Sequence, residues 1–405
     1  MTDSLISNAK NDAQASNSFS SLTKLGPLFF LTTIFFTNFF ARIVSSPLMP
    51  SIEADLGLNH SQAGSLFLFI AAGYFVTLMG SGFISSRITH RRTIILSATI
   101  VGLAFVGTSL SDSLAGMRIG LLVVGMATGL YLPSGIATLT SLISSQHWGK
   151  AVAVHELAPN LAFVLAPLVA ELFLHWFSWR AVLAWVGTSS FCIGSAYALF
   201  GRGGDFFGEA PSLNSLRSLF RDRKFWIMIV LFSLGIGGSV GVYAMLPLYL
   251  VDGRGMDPSW TNTVVATSRI IPLGMSLLSG WAADRFGKTR TIAFVLLFTG
   301  LLTVLLGIVP ISWVVIVVFL QPMLSVCFFP AALAALSSIG PSSARNVVVS
   351  FTIPMSFLLG AGAIPSLIGF LGNMGSFALG IVAAGSLMMM GAFLTHYLEP
   401  RSKML

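Results

Sequence analysis

The sequence predicts an all-α membrane protein of twelve transmembrane helices arranged in two six-helix bundles. Three observations carry that prediction. The 405 residues are 55% hydrophobic and only 9% charged, with a mean hydropathy of +0.87, whereas a soluble domain carries roughly 25% charged residues. Apolar runs of bilayer length recur along the chain, punctuated by charged and Pro/Gly-rich turns. Landmarks also repeat at a near-constant interval: Gly82 to Gly280 and Pro167 to Pro365 each span 198 residues, and Pro50 to Pro247, expected to close helices 1 and 7, spans 197. A register held that long is a parallel repeat, as in carriers whose two bundles rock about a midplane site.

Residues 1–24 are polar, rich in Ser and Asn, with no apolar signal segment, and are expected to form a disordered cytoplasmic tail. Helices follow near 26–50, 62–85, 92–111, 114–142, 151–174 and 180–200, which makes 25–200 the N-terminal bundle. The second set lies near 225–250, 261–283, 291–311, 313–338, 346–371 and 375–397, a C-terminal bundle over 225–398, with 399–405 as a short tail. Between the bundles, 201–224 opens with Gly201-Arg202-Gly203-Gly204 and closes with Arg221-Asp222-Arg223-Lys224. It is the linker, with room for a short amphipathic helix at the membrane surface.

The net charge of +8 is a topology signal and does not point to nucleic acid. Of the 22 Lys and Arg, 17 fall on one side of this layout, three (Arg118, Arg180, Arg254) on the other, and Arg42 and Arg269 inside helices. The positive-inside rule then places both termini in the cytoplasm, and a bacterial inner membrane is the expected location. Cys192 and Cys327, the two cysteines, both lie in apolar runs and read as small packing residues.

The stretch from Gly280 to Arg290, with Asp284, Arg285, Gly287 and Lys288, is a charged turn between two apolar runs. Its pattern Gly-x-x-x-Asp-Arg-x-Gly-Lys resembles the signature loop between helices 2 and 3, and again 8 and 9, of the major facilitator superfamily. A second copy begins at Gly82 and includes Arg87, with Ser86 in place of the Asp and Thr89 in place of the second Gly. The resemblance covers nearly the whole chain. It implies a secondary transporter in which Asp284 latches the two halves in the outward-open state, while the basic residues face anionic lipid.

Arg42, in the middle of helix 1, is the sharpest single residue. A guanidinium there costs at least about 2.5–3.5 kcal/mol and cannot escape by losing its proton. Arg269 stands eleven residues before Gly280, about 16 Å along a helix and again near the midplane. Each half therefore offers one buried cation, and Glu156 is the only acid expected at comparable depth. An anionic ligand is the economical partner for the pair. The segment with Arg42, Pro50, Asp55-Leu56-Gly57, Gly64 and Tyr74 also resembles organic-anion carriers of the anion:cation symporter group, and that resemblance implies that Arg42 and Tyr74 line the substrate site. Ala41 departs from the Asp frequent in that group, and Tyr131-Leu132-Pro133 lacks its charged helix 4 residues.

Asn38, Asn160 and Gln321 are candidate polar supports for the substrate. Glu156 and His155 are candidate proton carriers, and Glu156 is equally a candidate counter-ion for an Arg. Adjacent helical residues point about 100° apart, so no more than one of the two faces the cavity squarely. The expected activity is alternating-access transport of a small organic anion, driven by proton symport or by exchange of anions, by a monomer with no cofactor. A drug/proton antiporter and a non-transporting receptor of the same fold are the alternatives. In drug exporters the corresponding helix 5 motif is rich in Gly around a Pro; the stretch from Leu161 to Pro167 has Ala in its place, which argues against the antiporter.

Overall fold

The structure is a computed structural model that describes residues 22–209, 220–337 and 345–398. Helices and turns make up the described residues, with no strand among them. Eleven helices are long and apolar enough to cross a membrane, and a bent pair supplies the twelfth. In chain order they are α1 Leu25–Leu56, α2 His60–Ile88, α3 His90–Ser109, α4 Leu114–Leu142, α5 Ser145–Leu174 and α6 Trp179–Phe200. The second six are α7 Arg223–Gly253, α8 (Pro258–Met275 and Leu278–Phe286, bent by 45°), α9 Lys288–Ile308, α10 Ile311–Leu336, α11 Val348–Asn373 and α12 Phe377–Leu398. Nearly all of the tail expected over 1–24, the linker's centre and the tail 399–405 lie outside the described residues. The linker's first residues dock on the α2–α3 turn, where His90 N donates to Phe206 O and Arg91 N to Gly204 O.

Proline sets the breaks. Val44, Leu130, Glu156, Arg269 and Cys327 each interrupt a helix three residues before Pro47, Pro133, Pro159, Pro272 and Pro330. A proline lacks the N–H that would bond the carbonyl four residues back, and its ring crowds that carbonyl. When the helix restarts just ahead of it, the proline falls in a first turn, where no N–H is needed. Pro50 and Pro247, expected to close helices 1 and 7, instead lie within them. The α1 helix runs on to Gly57, whose φ of 60° ends it with an N–H to Glu53 O. In α7, the Tyr243 carbonyl that Pro247 leaves without a backbone donor receives the Ser46 hydroxyl at 2.7 Å, across the seam between the halves.

The repeat extends into the packing. Where α3 crosses α6, a Cβ on Gly102 would stand 2.8 Å from Gly187 O; where α9 crosses α12, one on Gly300 would stand 2.6 Å from Gly385 O. Both glycines of the second pair lie 198 residues after those of the first. The halves meet along α1–α7, α2–α11 and α5–α8. A Cβ on Gly64 would approach Pro365 O to 2.6 Å, and Ser366 Oγ donates to Gly64 O. Asn262 of α8 donates to Glu171 of α5 at 3.2 Å. These contacts seal the seam at the end that bears the α1–α2 and α7–α8 turns.

Candidate anion site between the halves

Arg42 sits two residues before the α1 break and is 6% exposed; Arg269 occupies the α8 break and is 7% exposed. The Arg42 guanidinium lies over three rings, Tyr74 at 4.4 Å, Phe39 at 4.6 Å and Phe357 of the opposite half at 5.2 Å. Arg269 lies over Tyr243 and Phe163, each at 4.7 Å, the latter also from the opposite half. Phe39 meets Phe163 edge to face at 5.3 Å, and Phe163 meets Tyr243 at 4.8 Å. One aromatic chain thus joins the two cations across the seam.

Ring faces attract a desolvated cation by about 2 kcal/mol, but they carry no net charge. Neither arginine forms an ion pair among the described residues, and Nε of each has no hydrogen-bond partner. The Arg269 Nη2 donates to Ser239 O at 3.2 Å. Beside Arg42 is a cavity lined by Ser46, Phe67, Ile70, Tyr243 and Phe357, with about 10 Å³ free, the room of one water. Two positive charges and unused donors facing a tight aromatic cage form an anion-seeking arrangement.

The other candidates divide. Asn38 is turned toward α3, where its amide donates to Ser97 Oγ at 3.2 Å, and Gln321 donates to Gly238 O and Thr303 Oγ1 inside the C-terminal half. Asn160 donates to Glu156 O at 3.0 Å. Glu156 stands at the α5 break with its side chain 52% exposed, whereas neighbouring His155 is fully buried. His155 stacks on Phe35 at 4.3 Å, and its Nε2 is 3.0 Å from Tyr131 Oη. Because that hydroxyl donates its proton to Leu31 O, Nε2 carries the hydrogen toward it. Nδ1 is then left facing Glu156 Oε1 at 3.7 Å. Phe39, Phe163, Tyr243 and Phe357 are the site residues that sequence reasoning missed.

Residues 31–365 match the Major Facilitator Superfamily. The chain belongs to that family. A probable sulfoacetate transporter of Cupriavidus necator is 24% identical over 91% of this chain and 92% of its own length. A probable 4-methylmuconolactone transporter of Cupriavidus pinatubonensis is 25% identical over 82% of each chain. Among solved structures, a bacterial homolog of the human lysosomal transporter Spinster, inward-facing and occupied, superposes with a TM-score of 0.81 at 14% identity, over 93% of this chain and 97% of that one. This major facilitator chain is an integral membrane protein of a transporter family, and relatives of it are named as organic-anion carriers.

The facilitator loops are intact in geometry. Gly287 turns the chain from α8 to α9 at φ 94°, and Thr89 occupies the matching position between α2 and α3 at φ 73°. Asp284 is exposed and without an ion pair among the described residues, and Arg285 lies over Trp281 at 5.7 Å. Lys288 Nζ caps Ala334 O of α10 at 2.9 Å. Gly82 lies within α2 with Arg87 exposed in its last turn, and Gly280 lies in the second segment of α8, where a Cβ would meet nothing.

Proposed function

We propose that the protein carries a small organic anion across a bacterial inner membrane by alternating access, with both termini in the cytoplasm and the anion held between Arg42 and Arg269. The observation that carries this reading is the pair of buried guanidiniums, one from each half, with no carboxylate ion-paired to either among the described residues and one aromatic chain between them. An anion placed there touches both halves at once, which links its binding to their relative movement. Relatives named for sulfoacetate and methylmuconolactone support a compact carboxylate or sulfonate as the substrate.

Glu156, exposed at a helix break beside His155, is the proton carrier in this reading. In this reading the contacts that join the halves at the α1–α2 end belong to the cytoplasm-facing state. Asp284, unpaired here, is then the latch that engages when the halves close on the opposite side.

The test is a thermal-shift screen of the purified protein against short carboxylates, sulfonates and phosphates, with neutral and cationic amphiphiles alongside. Stabilisation by a carboxylate or sulfonate, absent in Arg42→Gln, is the expected result. Stabilisation by cationic amphiphiles alone, undiminished in Arg42→Gln, would turn the reading toward drug export.

A further inference from the structure

The sealed end of the seam holds a second charged cluster, separate from the arginines. Glu53 stands near the end of α1, His60 opens α2, and Asp252 lies in the last turn of α7, so the cluster spans both halves. The α1–α2 turn that presents the first two is rigid. Gly57 closes α1 in the left-handed region, and Asn59 and Gln62 form a reciprocal capping box at the start of α2. The His60 ring is held against Phe377 at 4.5 Å.

One ligand atom from each of the three residues lies within 4.8 Å of the others. His60 Nδ1 and Glu53 Oε1 are 2.6 Å apart. That is an ion-pair distance, and Nδ1 has no other partner among the described residues. Glu53 is 9% exposed, and its other oxygen, Oε2, is also buried without a partner. No Lys or Arg pairs with either carboxylate among the described residues. Nearby Arg254 spends its donors on Tyr249 Oη and Leu306 O.

We propose that Glu53, His60 and Asp252 form a binding site for a divalent transition-metal ion of the zinc class, which clamps the two halves at the sealed end. One imidazole and two carboxylates suit such an ion. Bonds of about 2.0–2.1 Å set tetrahedral ligand atoms roughly 3.3 Å apart, so the 2.6 Å between His60 Nδ1 and Glu53 Oε1 would open on binding while Asp252, exposed at the rim, closes the remaining distance. The ion neutralises two acids that no Lys or Arg serves among the described residues, and binding favours the state in which α7 sits against α1 and α2.

Zn²⁺ itself is the probe. The full-length purified protein is titrated against a chromogenic zinc chelator, and melting is followed with and without Zn²⁺. Wild type is expected to bind one Zn²⁺ per chain and to melt at a higher temperature with it. His60→Gln and Asp252→Asn should bind at least tenfold more weakly and lose the shift. Asp252 is exposed, so its variant is expected to melt like wild type without metal. No stoichiometric binding by wild type, or equal binding by all three proteins, would overturn the site. Neither readout depends on the identity of the transported anion.

Discussion

At the scale of the residue, the chemistry rests on which charges have partners. Arg42 and Arg269 were legible in the sequence because a cation amid twelve apolar runs stands out. Their aromatic cage was not legible. In a chain with 33 Phe, nothing local marks Phe39, Phe163 or Phe357, and the cage exists only once α1, α5, α7 and α11 meet. Glu53 escaped notice for the same reason, since its burial depends on α7. Glu156 was found in the sequence, and its side chain is 52% exposed at the break before Pro159.

That exposure makes Glu156 testable as the proton carrier. A neutral amide mimics the protonated carboxyl, so Glu156→Gln reconstituted in liposomes should abolish accumulation driven by a pH gradient, by tenfold or more. It should leave exchange of internal for external substrate within about twofold of wild type. Gradient-driven uptake equal to wild type would remove Glu156 from the coupling step and direct attention to His155. Loss of both modes would make Glu156 a counter-ion for an arginine.

At the scale of the element, prolines and glycines did most of the shaping. The sequence marks every proline but not its effect. Five breaks fall three residues ahead of a proline, whereas Pro50 and Pro247 interrupt nothing where helix ends were expected. At Pro247 the freed carbonyl, Tyr243 O, finds another donor in the Ser46 hydroxyl.

The degenerate loop copy yields a sharper expectation. Thr89 holds φ 73° and ψ 157°, a region that only glycine occupies without strain of about 1–3 kcal/mol. Its hydroxyl returns little, accepting from Arg92 N at 3.5 Å. Thr89→Gly restores the residue found at position 287 and should stabilise the protein by about 1 kcal/mol after the extra chain entropy of glycine. The melting temperature in detergent should rise by about 1–3 °C. An unchanged or lower melting temperature would mean that the Thr89 contacts outweigh its backbone strain.

At the scale of the whole molecule, duplication made the architecture readable. Loop and proline landmarks 197 or 198 residues apart predicted two equivalent bundles, and the α3–α6 and α9–α12 glycine crossings repeat at the same interval. The site itself is not duplicated. Arg42 comes from α1 of one half and Arg269 from α8 of the other, so their meeting cannot be read from the repeat and follows from how the halves close.

The central claim is that these two cations serve one anion. Uptake of a radiolabelled carboxylate or sulfonate that stabilises the wild-type protein tests it most directly, in liposomes holding wild type, Arg42→Gln, Arg269→Gln, the two Lys variants and the double Gln variant at equal protein content. Each single variant should lose most uptake, Lys included because it lacks the guanidinium fork, and the double variant should be little worse than either single one. Normal uptake by Arg42→Gln would contradict the account.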